Sequence, residues 1–120
     1  MVGEHCFPTD LIRNSDACQQ RGTTGICNCS FDGVGSILTH ILPEIKPKDL
    51  NWSKWGQIYQ FDQSEFLENP NAFGMDETGF VFIPYNCALK SCKVHVAFHG
   101  CGEQKEILGD VYVKNTGYLE

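Results

Sequence analysis

The stretch VHVAFHGCG, residues 94–102, decides the fold that we expect for this chain. Its first five residues are apolar apart from His95, which predicts a central β-strand buried on both faces. A glycine-rich turn follows, and helical spacing of apolar residues then extends over residues 107–119. A strand, a glycine turn and a helix in this order form an α/β unit, so the sequence predicts the α/β class.

The flanking sequence supplies further elements of the same class. Residues 79–84 (GFVFIP) predict a second strand, because β-branched and aromatic residues run up to a proline. An apolar helical stripe covers residues 33–45, with Asp32 placed as its N-cap. Residues 57–67 predict a short strand and a turn, and residues 5–29 show no sustained period and predict a loop region.

Composition excludes several classes of function. The chain has 120 residues, of which 42% are hydrophobic and 20% charged, and its formal net charge is −6. This length allows one domain at most. A nucleic-acid-binding protein would be expected to be basic, and no apolar run approaches the ~20 residues of a membrane helix. We therefore expect a globular protein that binds neither nucleic acid nor a membrane.

Seven cysteines are the strongest compositional signal. Structural disulfides are rare in a reducing cytosol, so this density predicts an extracellular, secreted protein, although residues 1–5 show no export signal. The odd count leaves at least one thiol free or partnered elsewhere. Cys18 with Cys29 would close a loop that a disulfide stabilises by about 2–3 kcal/mol. Cys6 with Cys27 is a second possible pair.

Zinc binding is an alternative use of the same residues. Cys27 and Cys29, together with Cys18 and a histidine, are ligand types found in zinc sites, and His95 with His99 is another pair of candidates. We favour disulfides, and we expect a structural role for His95. The prediction is therefore that the chain has no metal site and no cofactor.

The turn after residue 98 has a possible chemical use. A strand that ends in His-Gly-x-Gly and precedes a helix resembles the oxyanion loop of the α/β-hydrolases. In such a loop, backbone N–H groups point at the negative oxygen of a tetrahedral intermediate, and glycines let the chain bend close to it. An ordinary tight turn with a structural histidine is the alternative interpretation.

His5 is a candidate for acid–base chemistry. A triad histidine presents its ring on a loop, takes the nucleophile's proton and returns it to the leaving group. His5 lies in a stretch rich in cysteine, glycine and proline ahead of the predicted helix, which suits that role. An exposed loop histidine without a catalytic role is the alternative interpretation.

Two groups of motifs together resemble the extracellular polyhydroxybutyrate depolymerases of the circularly permuted type and their esterase relatives. The first group is HCFPTD at residues 5–10 and NCSFDGVG at residues 28–35. The second group is MDETGFVFIP at 75–84, Cys87, Cys92, VHVAFHGC at 94–101, LGD at 108–110 and NTGY at 115–118. The resemblance covers nearly the whole chain and is weakest over residues 43–72.

The resemblance implies roles for individual residues. It implies that residues 1–120 are part of a permuted α/β-hydrolase domain, whose nucleophile portion lies upstream and which continues downstream. By position, it implies that His5 is the triad histidine and that the backbone N–H of Cys101 forms half of the oxyanion hole. It also implies a disulfide between Cys87 and Cys92.

The resemblance further implies a secreted carboxylic ester hydrolase with a Ser-His-Asp mechanism and a polyester or small ester as substrate. The chain contains no Gly-x-Ser-x-Gly motif, so we expect it to be inactive alone. A related carbohydrate or feruloyl esterase is one alternative, and a noncatalytic secreted module derived from such an enzyme is another. Glu103 stands where many relatives have glutamine, and its charge would oppose a nearby anion unless it points away.

Overall fold

The chain forms two compact units. The structure is a computed structural model that describes residues 5–11, 15–19, 22–100 and 102–119. The first unit comprises Met1–Leu50 and His95–Glu120, and the second comprises Asn51–Val94. Helices and strands occur in both halves of the sequence, and the described fold is mixed α/β. None of the helices in the described ranges has the length and apolar character needed to cross a membrane.

A small parallel sheet forms the centre of the first unit. Its strands are β1 (Phe7–Thr9), β2 (Asp16–Ala17) and β3 (Ile26–Asn28), and β3 lies between the other two. Ile26 and Cys27 are almost fully buried because β3 is central. The prediction of a loop over residues 5–29 was therefore wrong. Strands of two or three residues are too short to show a period-2 pattern, and parallel pairing joins segments that are distant in sequence.

The predicted helix at residues 33–45 is confirmed with a shorter C-terminal end. The helix α1 spans Gly33–Ile41 and ends ahead of Pro43, which cannot continue the hydrogen-bond ladder. The Asp32 carboxylate accepts the N–H of Gly35 at 2.7 Å, so the predicted N-cap is also confirmed. Val34 is buried in the first unit. The cap and the buried first turn fix where this helix starts.

Removing the cap should destabilise the first unit. Asp32→Ala is expected to lower the free energy of unfolding by about 1–2 kcal/mol, because the N–H of Gly35 loses its acceptor. Asp32 also forms an ion pair with Lys48 at 3.5 Å, and a partly exposed pair of this kind contributes up to about 1 kcal/mol. Urea unfolding followed by circular dichroism measures the loss.

Asp32→Asn is the matched control for the cap. The asparagine keeps a side-chain oxygen for Gly35 and loses only the charge that faces Lys48. We expect it to retain most of the wild-type stability. Equal losses for the alanine and asparagine variants would show that the capping hydrogen bond contributes nothing.

Two short helices follow residue 104 in place of the single helix predicted over residues 107–119. The helix α2 spans Lys105–Leu108 and α3 spans Val111–Asn115. Gly109 separates them with φ 60° and ψ −123°, a conformation that is accessible essentially to glycine alone. The apolar spacing was correct, but the break at Gly109 divides the helix.

The second unit contains an antiparallel hairpin. Strand β4 (Gly56–Asp62) pairs with β5 (Thr78–Pro84) over their full lengths, which confirms the strands predicted near residues 57–67 and 79–84. A Cβ atom on Gly56 would lie 2.5 Å from the Phe82 ring, so the close approach requires glycine there. Short 3₁₀ turns flank both strands.

The buried central strand predicted at residues 94–98 is not formed in the described structure. The segment has no strand assignment, and Val94, Val96 and Phe98 are 86%, 64% and 76% exposed. A β-strand needs hydrogen bonds from neighbouring strands, and among the described residues no strand pairs with this segment. The apolar composition predicted burial, whereas burial depends on partners that the described residues do not supply.

Candidate functional site

Three disulfides join six of the seven cysteines, in the pairs that the sequence and the family resemblance suggested. They are Cys6–Cys27, Cys18–Cys29 and Cys87–Cys92. The first two hold the strand region around β3, and the third closes the turn after β5. The zinc alternative needed Cys18, Cys27 and Cys29 as thiolates, and all three are committed to disulfides. Cross-linking of this density fits an extracellular protein.

His5 lies on an exposed bend immediately before strand β1. The backbone that follows it is held in two ways. Cys6 is joined to the buried Cys27, and the N–H of Phe7 donates to the carbonyl of Gly25 at 2.7 Å. The loop position predicted for His5 is therefore observed, with an accessible side chain on a firmly anchored backbone.

The turn after residue 98 is defined by hydrogen bonds around Gly100. The N–H of Gly100 donates to Glu103 Oε2 at 2.7 Å, and the N–H of Glu103 donates to the carbonyl of Gly100 at 3.2 Å. The His99 Nδ1 atom lies 2.9 Å from the same carbonyl. Cys101, the predicted oxyanion-hole residue, lies outside the described residues. The Glu103 carboxylate faces the turn, so its charge is not directed away from it.

An aromatic cluster connects strand β1, which follows His5, with the segment that leads into the turn after residue 98. The rings of Phe7 and Tyr112 are 6.1 Å apart, and those of His99 and Tyr112 are 6.4 Å apart. His95 stacks on Tyr118 with ring centroids 5.3 Å apart, as a structural histidine would. Tyr112 on α3 thus contacts a residue two positions after His5 and another two positions before residue 101.

The two tyrosines of this cluster are neutral near physiological pH. Burial raises the pKa of Tyr112 to about 12, and the nearby Tyr118 and Glu103 add to the rise. Burial also raises the pKa of Tyr118. These rings therefore act in packing and do not ionise near neutral pH.

Sequence reasoning missed the role of Glu103 in the turn. The only signal was a departure from the glutamine that the family resemblance led us to expect at this position, and that signal suggested an unfavourable charge. It did not show that the side chain accepts a backbone N–H.

Within the described ranges, no group of three or more histidine, cysteine or acidic residues is arranged to hold a metal ion.

Curated relatives of this chain have been found in a bacterium and a fungus. A poly(3-hydroxybutyrate) depolymerase of Delftia acidovorans is 36% identical over an alignment of 124 positions that covers 98% of this chain and 24% of that protein. A polyhydroxybutyrate depolymerase of Talaromyces funiculosus is 34% identical over an alignment of 117 positions that covers 95% of this chain and 33% of that protein. No protein-family model matches the chain.

Solved structures of PHB depolymerases also match this chain. The PHB depolymerase from Penicillium funiculosum matches with a TM-score of 0.83 and 31% identity, over 97% of this chain and 36% of that one. A serine-to-alanine variant of a PHB depolymerase, complexed with an R3HB trimer, matches with a TM-score of 0.80 and 32% identity over the same shares.

The matches show how much of a depolymerase this chain corresponds to. It spans about a quarter to a third of the length of the curated relatives that it matches. Both the sequence and the fold agree over nearly all of its 120 residues. The chain is therefore a relative of the polyhydroxybutyrate depolymerases and shares the α/β-hydrolase-like fold of the part that it spans.

Proposed function

We propose that the chain supplies the catalytic histidine and the oxyanion-hole segment of a secreted serine-type ester hydrolase. The observation that carries the proposal is the match to a PHB depolymerase structure over 97% of the chain with a TM-score of 0.83. By analogy with the relatives' names, the substrate class is a poly(3-hydroxybutyrate)-like polyester or its short oligomers. The three disulfides support secretion.

His5 is the general base in this proposal. Its imidazole takes a proton from a serine hydroxyl as that hydroxyl attacks the ester carbonyl, and then delivers the proton to the leaving alcohol oxygen. The exposed loop position and the anchored Cys6 and Phe7 support this role, because the ring must be accessible while its backbone stays fixed.

Cys101 is the oxyanion-hole residue in this proposal. Its backbone N–H would donate to the carbonyl oxygen as that oxygen becomes negative, so its thiol needs no reactivity. A donor of this kind contributes roughly 3 kcal/mol to transition-state stabilisation in other hydrolases. The resemblance of HGC at residues 99–101 to the family motif supports the assignment.

In this proposal, the catalytic serine and the acidic residue of the triad lie outside this sequence, in the rest of a complete domain. This sequence has no Gly-x-Ser-x-Gly motif. In ordinary α/β-hydrolases the oxyanion segment precedes the histidine, whereas here His5 comes first. This order supports a circularly permuted α/β-hydrolase in which the nucleophile precedes His5.

One observation favours a noncatalytic module as a second candidate function. The same missing nucleophile motif is what a secreted binding module derived from such an enzyme would show. A module of this kind would keep the fold and disulfides but would have no need of His5. A complementation experiment separates the two.

The chain alone is expected to have no esterase activity, because a histidine and an oxyanion hole without a nucleophile cannot form an acyl-enzyme. Activity should appear in a graft in which residues 5–119 replace the matching stretch of the Talaromyces funiculosus depolymerase. We call this hybrid protein the graft. Release of hydroxybutyrate from an R3HB trimer measures the activity of the isolated chain and of the graft, with p-nitrophenyl esters as a second substrate.

The outcomes separate the candidate functions. Hydrolysis by a folded graft supports the enzyme proposal, and its relative rates on acetylated xylan and feruloyl esters test the alternative acyl groups. A graft that melts cooperatively but hydrolyses none of these esters would favour the noncatalytic module. Turnover by the isolated chain that is lost in His5→Ala would contradict the requirement for an outside nucleophile.

A further inference from the structure

The Glu103 side chain is hydrogen-bonded within the turn that follows residue 98. Its Oε2 atom accepts the N–H of Gly100 at 2.7 Å. Gly102 has φ +81°, in the left-handed region that favours glycine, and so lets the chain reverse toward Gly100. The carboxylate therefore holds the turn at the residue immediately before position 101.

The same carboxylate lies against the turn that precedes strand β3. A Cβ atom on Gly25 would lie 2.6 Å from Glu103 Oε1 and 3.1 Å from Glu103 Cγ. Gly25 also has φ +65°, so both its backbone conformation and the space beside it favour glycine. One carboxylate oxygen of Glu103 thus bonds Gly100, and the other lies beside Gly25, which is 75 positions from Gly100 in the sequence.

Gly25 is in turn bonded to the strand that follows His5. Its carbonyl accepts the N–H of Phe7 at 2.7 Å, and the Cys6–Cys27 disulfide fastens the same strand to β3. A continuous path of contacts therefore runs from Phe7 through Gly25 and Glu103 to Gly100. Every contact on this path lies within the first unit.

From this path we infer that Glu103 is a positioning residue. It fixes the turn after residue 98 relative to strand β1, the strand that follows His5. The importance of this relative position for catalysis rests on the proposed function, whereas the path of contacts does not depend on that function. Glu103 does not touch the reacting atoms in this account. It acts by holding Gly100 against Gly25, and so it sets where the turn lies relative to the backbone that carries His5.

The path requires an acceptor oxygen and not a negative charge. Glutamine would offer a side-chain oxygen to the N–H of Gly100 in the same way. A carboxylate near the oxyanion hole also opposes the developing negative charge of the transition state. Glu103→Gln should therefore preserve the position of the turn and remove an unfavourable charge, whereas Glu103→Leu should release the turn.

Hydrogen exchange of the Gly100 amide in the full, oxidised chain tests the path directly. At a fixed pH, Glu103→Leu is expected to speed this exchange by about tenfold, because the N–H loses its acceptor. Glu103→Gln should stay within about threefold of wild type. Gly25→Ala should also speed the exchange, because its Cβ would displace the carboxylate.

Two further variants keep the test decisive. Glu103→Asp retains the charge but is one methylene shorter, so it should speed the exchange without adding an apolar surface. Glu106→Leu is the matched control, because it makes the same change at an exposed position in α2 and should leave Gly100 unaffected. Neighbouring ionisable groups, Tyr112 and His99, are unchanged in every variant, so fixed pH isolates the side chain at position 103.

Kinetics of the graft supply the catalytic readout. Glu103→Leu is expected to lower kcat by about tenfold with little change in KM, because an oxyanion hole acts mainly in the transition state. Glu103→Gln should equal or exceed the wild-type kcat. A purely structural defect in Glu103→Leu would lower the amount of folded enzyme and leave kcat per folded molecule unchanged.

The two readouts fail in different ways. Gly100 exchange that is the same in wild type, Glu103→Leu and Glu103→Asp overturns the inference even if the graft is an active esterase. Exchange that responds as expected, in a folded graft without esterase activity, supports the path of contacts and counts against the proposed function. Equal damage from glutamine and leucine would overturn the claim that the acceptor oxygen is what matters.

Discussion

His5→Ala in the graft should lower kcat for the R3HB trimer by about 10⁴- to 10⁶-fold, the range seen when one member of a triad is removed elsewhere. Without the imidazole, the serine hydroxyl keeps its proton and the leaving alkoxide has no proton donor. The melting temperature should hardly change, because the side chain is exposed. Initial rates and a thermal melt on the same preparation measure both effects.

His40→Ala is the matched control for this prediction. His40 is also exposed, in the last turn of α1, so the same change is made away from the proposed site. We expect its kcat to stay within about twofold of the parent graft, as is usual for a surface substitution. A His5→Ala graft that keeps a tenth of the parent activity would contradict the assignment of His5 as general base.

Removing the Cys6–Cys27 disulfide should cost the first unit about 3 kcal/mol of unfolding free energy. The bond closes a loop with a sequence separation of 21, and the loss of loop closure in the unfolded chain gives this magnitude. Serine at position 27 adds to the cost, because Cys27 is 1% exposed and a hydroxyl there needs a partner. Urea unfolding of the double serine variant measures the change.

The Cys87–Cys92 pair is the internal comparison. Its sequence separation is only 5, so the same entropic argument gives about 2 kcal/mol, and the effect should be confined to the second unit. Hydrogen exchange of β1 should rise only when the Cys6–Cys27 bond is removed. An equal rise in β1 from removal of either bond would contradict the account of how the strand after His5 is anchored.

Elements with local signals were predictable from the sequence. The cap at Asp32 and the apolar stripe after it located α1, and β-branched runs located the hairpin strand β5. The cysteine pairs were suggested by their spacing and by the family resemblance. The cap of α1 and the residue preferences of β5 act between residues close in the chain, so for these elements the sequence pattern and the structure coincide.

Elements that depend on distant partners were not predictable. Strands β1, β2 and β3 pair in parallel across long loops, and their two or three residues carry no visible periodicity. Residues 94–98 have the composition of a central strand, yet a central strand needs neighbours on both edges. The chain spans 36% of the solved depolymerase structure that it matches, and the described residues provide no such neighbours.

The candidate site shows the same division. A histidine in a loop cannot be distinguished from an ordinary exposed histidine by the residues around it, so the roles of His5 and Cys101 were assigned only through the family resemblance. The contact of Glu103 with both Gly25 and Gly100 needed coordinates, because it joins two turns that are far apart in sequence.

A crystal structure of the graft with a phosphonate bound covalently to its serine would test the central claim most directly. The account predicts that a phosphonyl oxygen accepts the Cys101 N–H at about 2.7–3.1 Å. It also predicts the His5 ring within hydrogen-bond reach, about 2.6–3.2 Å, of an oxygen on the same phosphorus. A bound phosphonate with the position 5 imidazole or the position 101 amide far from it, on another side of the fold, would contradict the account.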